Sequence, residues 1–457
     1  PEKYWSAVVG GIRKACGGAG KDAADISVIS VTTQGETLIP VDINGKALRN
    51  AIVWLDGRAA EESSFISGRY PAVDFYAKTG LPECTGLCPV SKLLWIRIHE
   101  PEVYRSTYKF MLLEDFIILR LTGEFVSEKS LLSSSGYFDI VNDCLWDEIL
   151  DYVGVDREKI PQALECGVMV APVSRRAAAE TGLSEDAVVA TAAMDQLSGA
   201  VGAGNLVPGI VTETTGTALT IAATVDHPDL SDPMRVTVYR HIVRGKYLYI
   251  PICMTAGIVL KWFKDEFCRE EFERARLEGR PVYQILDEIV KDTPPLSNGL
   301  VLLPYFTGVI QPDNNPQAKG VFFGVSLETK RNHFIRSIFE SVAYLLKENV
   351  ELVEGVLGGR IDEIRSLGGG SKSEIWQKIK ADVNGRRMAP MRESECSSLG
   401  AAILGGTAAG IFEDIQAAAD KANSVQYRLE PDPSVYEQYQ KGYRTYREVY
   451  SRLRTLF

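Results

Sequence analysis

Val188-Val-Ala-Thr-Ala-Ala-Met-Asp-Gln-Leu-Ser-Gly-Ala-Val-Gly202 is the stretch whose reading decides the fold. Its apolar, β-branched start predicts a short buried strand over 188–192. A carboxylate, Asp195, follows at once, and then small residues that suit a closely packed segment. Ligands of α/β proteins gather at the carboxyl ends of strands, so Asp195 is the first candidate functional group. Taken alone, the same Asp is equally well a helix N-cap.

Working outward, Glu2–Gly17 has helical apolar spacing, and Ile26–Val31, Leu38–Val41 and Ala51–Trp54 read as strands, with the Asn44-Gly45 turn signal between the last two. Residues 90–99 and 111–122 read as helices. Beyond a glycine-rich passage at 199–209, Ile210–Val225 predicts a β-hairpin turning at Thr215-Gly216-Thr217. Helices are expected at 255–269, 329–355, 371–384 and 397–410, a strand at 300–304, and an amphipathic closing helix at 433–456. Mixed α and β elements twice over predict two α/β domains, 1–203 and 204–457.

Length and composition agree with this. A chain of 457 residues with 45% hydrophobic and 24% charged residues has material for two self-sufficient cores. Its net charge of −10 argues against a general nucleic-acid partner, because phosphate binding draws on basic patches. No apolar run approaches the roughly 20 residues that cross a bilayer, so no membrane partner is expected. Pro1 is not a natural start, which leaves a removed leader open. Eight cysteines scattered along a long chain form a reduced, cytoplasmic pattern. Four histidines with no close pair, and Cys84 and Cys88 with no second pair nearby, give no support to a zinc or histidine metal site.

Three further segments carry chemistry. Thr212-Glu-Thr-Thr-Gly-Thr217 offers hydroxyls and backbone N–H groups to a phosphate oxygen, though a plain hairpin is about as good a reading. Leu367-Gly-Gly-Gly-Ser-Lys372 joins the short strand 364–367 to a helix, a place where backbone approaches a nucleotide. It has neither Walker A nor G-x-G-x-x-G spacing. Gln34-Gly35-Glu36 and Trp54-Leu-Asp-Gly-Arg58 set polar side chains at strand ends, where they suit a polyhydroxylated ligand or are simply surface turns with an ion pair.

These pieces resemble, in order, the FGGY carbohydrate kinases. The most specific match is Gly320-Val-Phe-Phe-Gly-Val325, seven residues, then His333-Phe-Ile-Arg-Ser-Ile-Phe-Glu340. Supporting matches are Met194–Gly202, Thr214–Thr217, Leu303-Pro-Tyr-Phe-Thr-Gly308, Leu367–Ser371 and Ser398-Leu-Gly-Ala-Ala402. The resemblance implies two ribonuclease-H-like domains of the actin/hexokinase ATPase type, with the active site in the interdomain cleft. It implies Asp195 as catalytic base toward a sugar hydroxyl, and Gln34, Glu36, Trp54, Asp56 and Gln196 as acceptor contacts. Thr215, Gly216, Thr217 and Gly257 would lie at the phosphates of ATP, and Gly369, Gly370 and Ser371 against its adenosine. Mg²⁺ would accompany the nucleotide, and a homodimer is implied.

Two departures qualify the resemblance. Family members open with a phosphate-gripping hairpin resembling Gly-Ile-Asp-x-Gly-Thr-Thr, which is not found here; the chain as given is expected to be weakly active or inactive, with an exposed sheet edge. Glycerol kinases carry Gln-Arg-Glu, and xylulokinases Gln-Met-His, where this chain has Gln34-Gly35-Glu36. Replacing Arg by Gly is expected to open space for an acceptor larger than glycerol, a pentulose such as xylulose first, with a glycerol or tetritol kinase as the alternative. The readings from other classes are a sugar-sensing regulator, which should carry a DNA-binding module, and a degenerate kinase acting as an interaction protein. Asp195 and the phosphate turns place a kinase ahead of both.

Overall fold

The computed structural model describes residues 1–231, 236–309 and 315–457. In the first half, Val28–Val31 runs parallel to Val188–Thr191, which pairs antiparallel with Met169–Pro172 across a bulge. The register sets Val31 opposite Thr191, so the chain leaves both strands at one sheet edge. There the Asp195 N–H donates to the Thr33 carbonyl at 3.0 Å. Val28–Val31 is one of the two edge strands of this sheet among the described residues.

The second half is built on a sheet of seven strands among the described residues. Ile210–Thr215 and Leu219–Val225 form the expected antiparallel hairpin. Glu363–Leu367 runs parallel to Ile210–Thr215, and Arg387–Pro390 parallel to Glu363–Leu367. Two neighbouring strands therefore deliver their carboxyl ends together, one into Thr215-Gly216-Thr217 and the other into the glycine turn at 368–370. The helix Arg331–Leu357 lies buried against this sheet, and Val321–Phe323 before it pairs with Val301–Leu303.

Two short helices join the halves. Asp195–Gly202 crosses Cys396–Ala408 at backbone contact distance. A Cβ on Gly400 would stand 1.8 Å from the Ser198 carbonyl oxygen, and one on Gly202 2.1 Å from that of Cys396. Only hydrogen fits at either place. The same helix from the second half reaches the first sheet, where the Ser30 hydroxyl donates to the Ala401 carbonyl at 2.6 Å. A second joint lies at Thr237–Arg240, one edge strand of the large sheet among the described residues. Val238 N–H donates to the Gly80 carbonyl at 2.9 Å. Buried Arg240 pairs with Asp143 and Glu165 at 2.6 Å each, and Lys129 binds the same two carboxylates. Covering an edge strand in this way also blocks stray pairing.

Two sequence readings are corrected. Ala51–Trp54 is not a strand: only Ile52 bridges to Leu38, and the chain then turns so that Val53 and Trp54 are exposed. Its apolar residues read as a strand because they flank one real pairing position. Residues 111–122 are not one helix, because 109–112 pairs as a strand with Leu38–Val41 and the helix begins at Leu113.

Gly202→Ala is expected to cost about 2 kcal/mol or more, because backbone rather than a movable side chain blocks the methyl group. Gly10→Ala, in a helix with nothing within 4 Å, should instead gain about 0.5–1 kcal/mol. Urea unfolding of the two variants measures both; equal effects would refute the tight crossing.

Candidate active site

Asp195 is the first residue of its helix, so its carboxylate lies where the helix dipole favours negative charge. It is half-buried. Burial lifts its carboxyl above the ordinary aspartate range, and hydrogen bonds from the backbone and side chain of Gln196 hold part of that rise back. The Ser397 hydroxyl, on the crossing helix, donates to the Asp195 carbonyl at 2.9 Å and fixes the backbone from behind. A cavity of about 110 Å³ opens in front, lined by Asp195, Gln196, Thr212, Thr214, Leu367 and Ser397, among others. The first half thus contributes Asp195 and Gln196, and the second half the hairpin threonines.

Three of the sequence-predicted phosphate and nucleotide segments meet at the hairpin. Gly257 N–H donates to the Gly216 carbonyl at 3.0 Å, and a Cβ on Gly257 would stand 2.3 Å from that oxygen. A Cβ on Gly370 would stand 2.7 Å from the Thr215 Cβ. Gly216, Thr217 and Gly369 are exposed, and nothing lies within 4 Å of a Cβ position on Gly369. Ser371 is buried and donates its hydroxyl to the Gly368 carbonyl at 2.7 Å, so it shapes the turn from within.

Beneath the hairpin lies a charged pair that sequence reading missed. Lys380 and Glu213 are both fully buried, 2.7 Å apart. Glu213 also accepts from the Thr215 hydroxyl at 2.7 Å and from Ser366, and Lys380 donates to the Thr215 hydroxyl at 2.8 Å. Burial lowers the Lys380 ammonium and Glu213 opposes that shift. The pair thus ties two strands and the helix Glu374–Asn384 to Thr215, which opens the hairpin turn. No motif flags it, because a lysine on a helix ordinarily reads as solvated.

The acceptor candidates lie on two adjoining turns. Glu36 holds a left-handed φ of 56°, a conformation that costs about 1 kcal/mol or more in a non-glycine residue. Its carboxyl is pushed up to about 7 by burial, then by Cys88 and Asp195, against the pull of Lys92 and a hydrogen bond with Ser134. Gln34 donates its amide to the Thr37 hydroxyl at 2.9 Å. Trp54 is 40% exposed. Asp56 is engaged by Arg58 at 2.7 and 2.9 Å, which holds it below the usual carboxylate range. These four lie outside the lining of the 110 Å³ cavity. The expectation that Gly35 opens space is corrected: a Cβ there would stand 2.7 Å from the Ser134 hydroxyl and 3.1 Å from the Met194 sulfur. The position is filled by its neighbours.

The donor set suits ATP held by backbone at exposed turns. Mg²⁺ is commonly carried by phosphate oxygens, water and one or two carboxylates. Among the described residues no group of three or more His, Cys, Asp or Glu is placed to hold a metal by itself.

Comparison with known proteins gives a consistent result. Residues 1–202 match the N-terminal domain, and residues 211–409 the C-terminal domain, of the FGGY family of carbohydrate kinases. The chain is 28% identical to the gluconokinase of Bacillus subtilis over 432 residues, 94% of this chain and 83% of that protein. It is 28% identical to the xylulose kinase of Escherichia coli over 455 residues, 99% of this chain and 90% of that one. The crystal structure of xylulose kinase from Rhodospirillum rubrum superposes with a TM-score of 0.84 at 28% identity, covering 94% and 85% of the two chains.

Lys380→Met should destabilise the second half by about 3–5 kcal/mol, since it strands a buried carboxylate. Glu213→Gln combined with Lys380→Met should cost less than the sum of the single changes. A double-mutant cycle from denaturant unfolding measures this, and additive effects would refute the pairing.

Proposed function

The chain belongs to the FGGY family of carbohydrate kinases, an ATP- and Mg²⁺-dependent sugar kinase, and we propose that its acceptor is a pentulose such as xylulose or a sugar acid of similar length, with Asp195 as general base. The observation that carries this reading is the cavity lined by Asp195 from one half and by Thr212 and Thr214 from the other. Bound ATP supplies the phosphoryl group, and Mg²⁺ neutralises charge as it transfers.

The protein's own residues do the rest. Asp195 accepts the proton of the attacking hydroxyl, and the raised pKa brings it closer to a working base. Gln196, beside it in the cavity, orients that hydroxyl. Glu36 and Trp54, with Gln34 and Asp56, hold the remainder of the acceptor: Trp54 offers an apolar face and the others hydrogen bonds. Thr215, Gly216, Thr217 and Gly257 cradle the phosphates, and Gly369, Gly370 and Ser371 border the adenosine. In this division 1–203 holds sugar and 204–457 holds nucleotide. The preference for a five- or six-carbon acceptor is supported by the gluconate and xylulose kinases among the relatives. Space at Gly35 lends it nothing.

Asp195→Asn should lower kcat by roughly 10²–10⁴ while leaving ATP binding intact, read from acceptor-dependent ADP release and nucleotide titration. Retained turnover would remove Asp195 from the base role. A panel of xylulose, ribulose, gluconate, erythritol and glycerol tests the acceptor class; glycerol outperforming every larger acceptor would refute it. The sign of the pH dependence follows from the base: protonated Asp195 is inactive, so kcat/KM falls on acidification. Because its pKa is raised, that limb should lie above the value of about 3.9 of a free aspartate. A limb at or below that value would contradict the burial.

A further inference from the structure

We propose that Lys92 is the positioning residue of the acceptor site: its sealed ammonium gathers the backbone carbonyls of two turns and sets the gap between them. The inference rests on the reading of those turns as acceptor-binding. Lys92 projects from the helix Pro89–His99 and is fully buried. Its Nζ donates to the carbonyl of Glu36 at 2.9 Å and of Val53 at 3.0 Å, with that of Trp54 at 3.5 Å. Glu36 belongs to the first turn, and Val53 and Trp54 to the second. One cation thus bonds the backbone of Glu36 in the first turn and of Val53 and Trp54 in the second.

The arrangement is not an incidental burial. Taking an ammonium from water is costly unless its hydrogen bonds are satisfied. Here the partners are carbonyls of irregular backbone, of which that of Val53 also accepts from the Asp56 N–H at 2.9 Å. Burial lowers the ammonium to about 8, Glu36, Cys88 and Asp56 counter that, and Arg58 adds to it. The Glu36 carboxyl lies near enough for its charge to act on the ammonium. Thr37, fully buried, makes the second tie between the same turns: its hydroxyl accepts from Trp54 N–H at 3.1 Å and from the Gln34 amide at 2.9 Å. Glu36 keeps its left-handed backbone at a cost, and a cation on its carbonyl is a direct means of enforcing it. Lys92 has no solvent-exposed surface, so it acts through the turns and not on the acceptor.

The test is the KM-against-kcat split in Lys92→Met, with Mg-ATP and D-xylulose, or D-gluconate if the panel selects it. The acceptor KM should rise roughly tenfold or more, because small displacements of positioning groups are costly, while the ATP KM stays within about twofold. Lys92→Arg keeps the charge and donors and should restore part of the loss. An unchanged acceptor KM, or equal rises in both KM values, overturns the proposal. Should Lys92→Met fail to fold, Lys92→Arg carries the same test, with a raised acceptor KM and an unmoved ATP KM as support and an unmoved acceptor KM as refutation. Glu36→Gln and Trp54→Ala separate the two readings. If they raise the acceptor KM and the Lys92 variants do not, only the role of Lys92 fails. If they too leave it unmoved, the acceptor reading of the turns falls, and the inference with it.

Discussion

Everything in the site depends on two helices meeting at backbone distance. Gly202 and Gly400 allow Asp195–Gly202 and Cys396–Ala408 to cross with carbonyl oxygens where side chains would ordinarily stand. Because one helix begins with Asp195 and the other carries Ser397, this contact sets the candidate base relative to the second half of the molecule. Dispersion between close surfaces is short-ranged, so a gap of even half an ångström would forfeit much of it. The crossing is therefore either tight or absent.

From that joint the chemistry divides along the two sheets. Parallel strands in each half send their carboxyl ends toward the same region, which brings Asp195 from one sheet and the threonine hairpin from the other to a single cavity. Two buried lysines support the two sides in comparable ways. Lys380, paired with Glu213, underlies the hairpin and touches the Thr215 hydroxyl. Lys92 underlies the two candidate acceptor turns and donates to their carbonyls. Lys380 thus ties side chains of a strand end, and Lys92 backbone carbonyls of irregular turns.

Much of this was legible in the sequence, and the reason is local. The hairpin at 210–225 follows from β-branched runs about a single glycine, and the turn at 368–370 from three glycines after a short strand. Asp195 announced itself by ending an apolar run. What stayed hidden depends on distant neighbours. Lys92 and Lys380 look like ordinary helix-surface lysines, since the groups that neutralise them lie tens or hundreds of residues away. Gly35 misled for a similar reason: a glycine in a sequence suggests room, but Ser134 and Met194 already occupy it. Ala51–Trp54 carried strand-like residues for one bridge and an exposed turn.

The central claim is that Asp195 and the threonine hairpin serve one transfer, from nucleotide to sugar hydroxyl. The most direct measurement is ³¹P NMR of the intact protein turning over Mg-ATP in the presence of D-xylulose or D-gluconate. The account predicts that loss of the γ-phosphate resonance is matched by growth of a sugar phosphate monoester, with little inorganic phosphate. Release of inorganic phosphate at the same rate with and without any acceptor would contradict it.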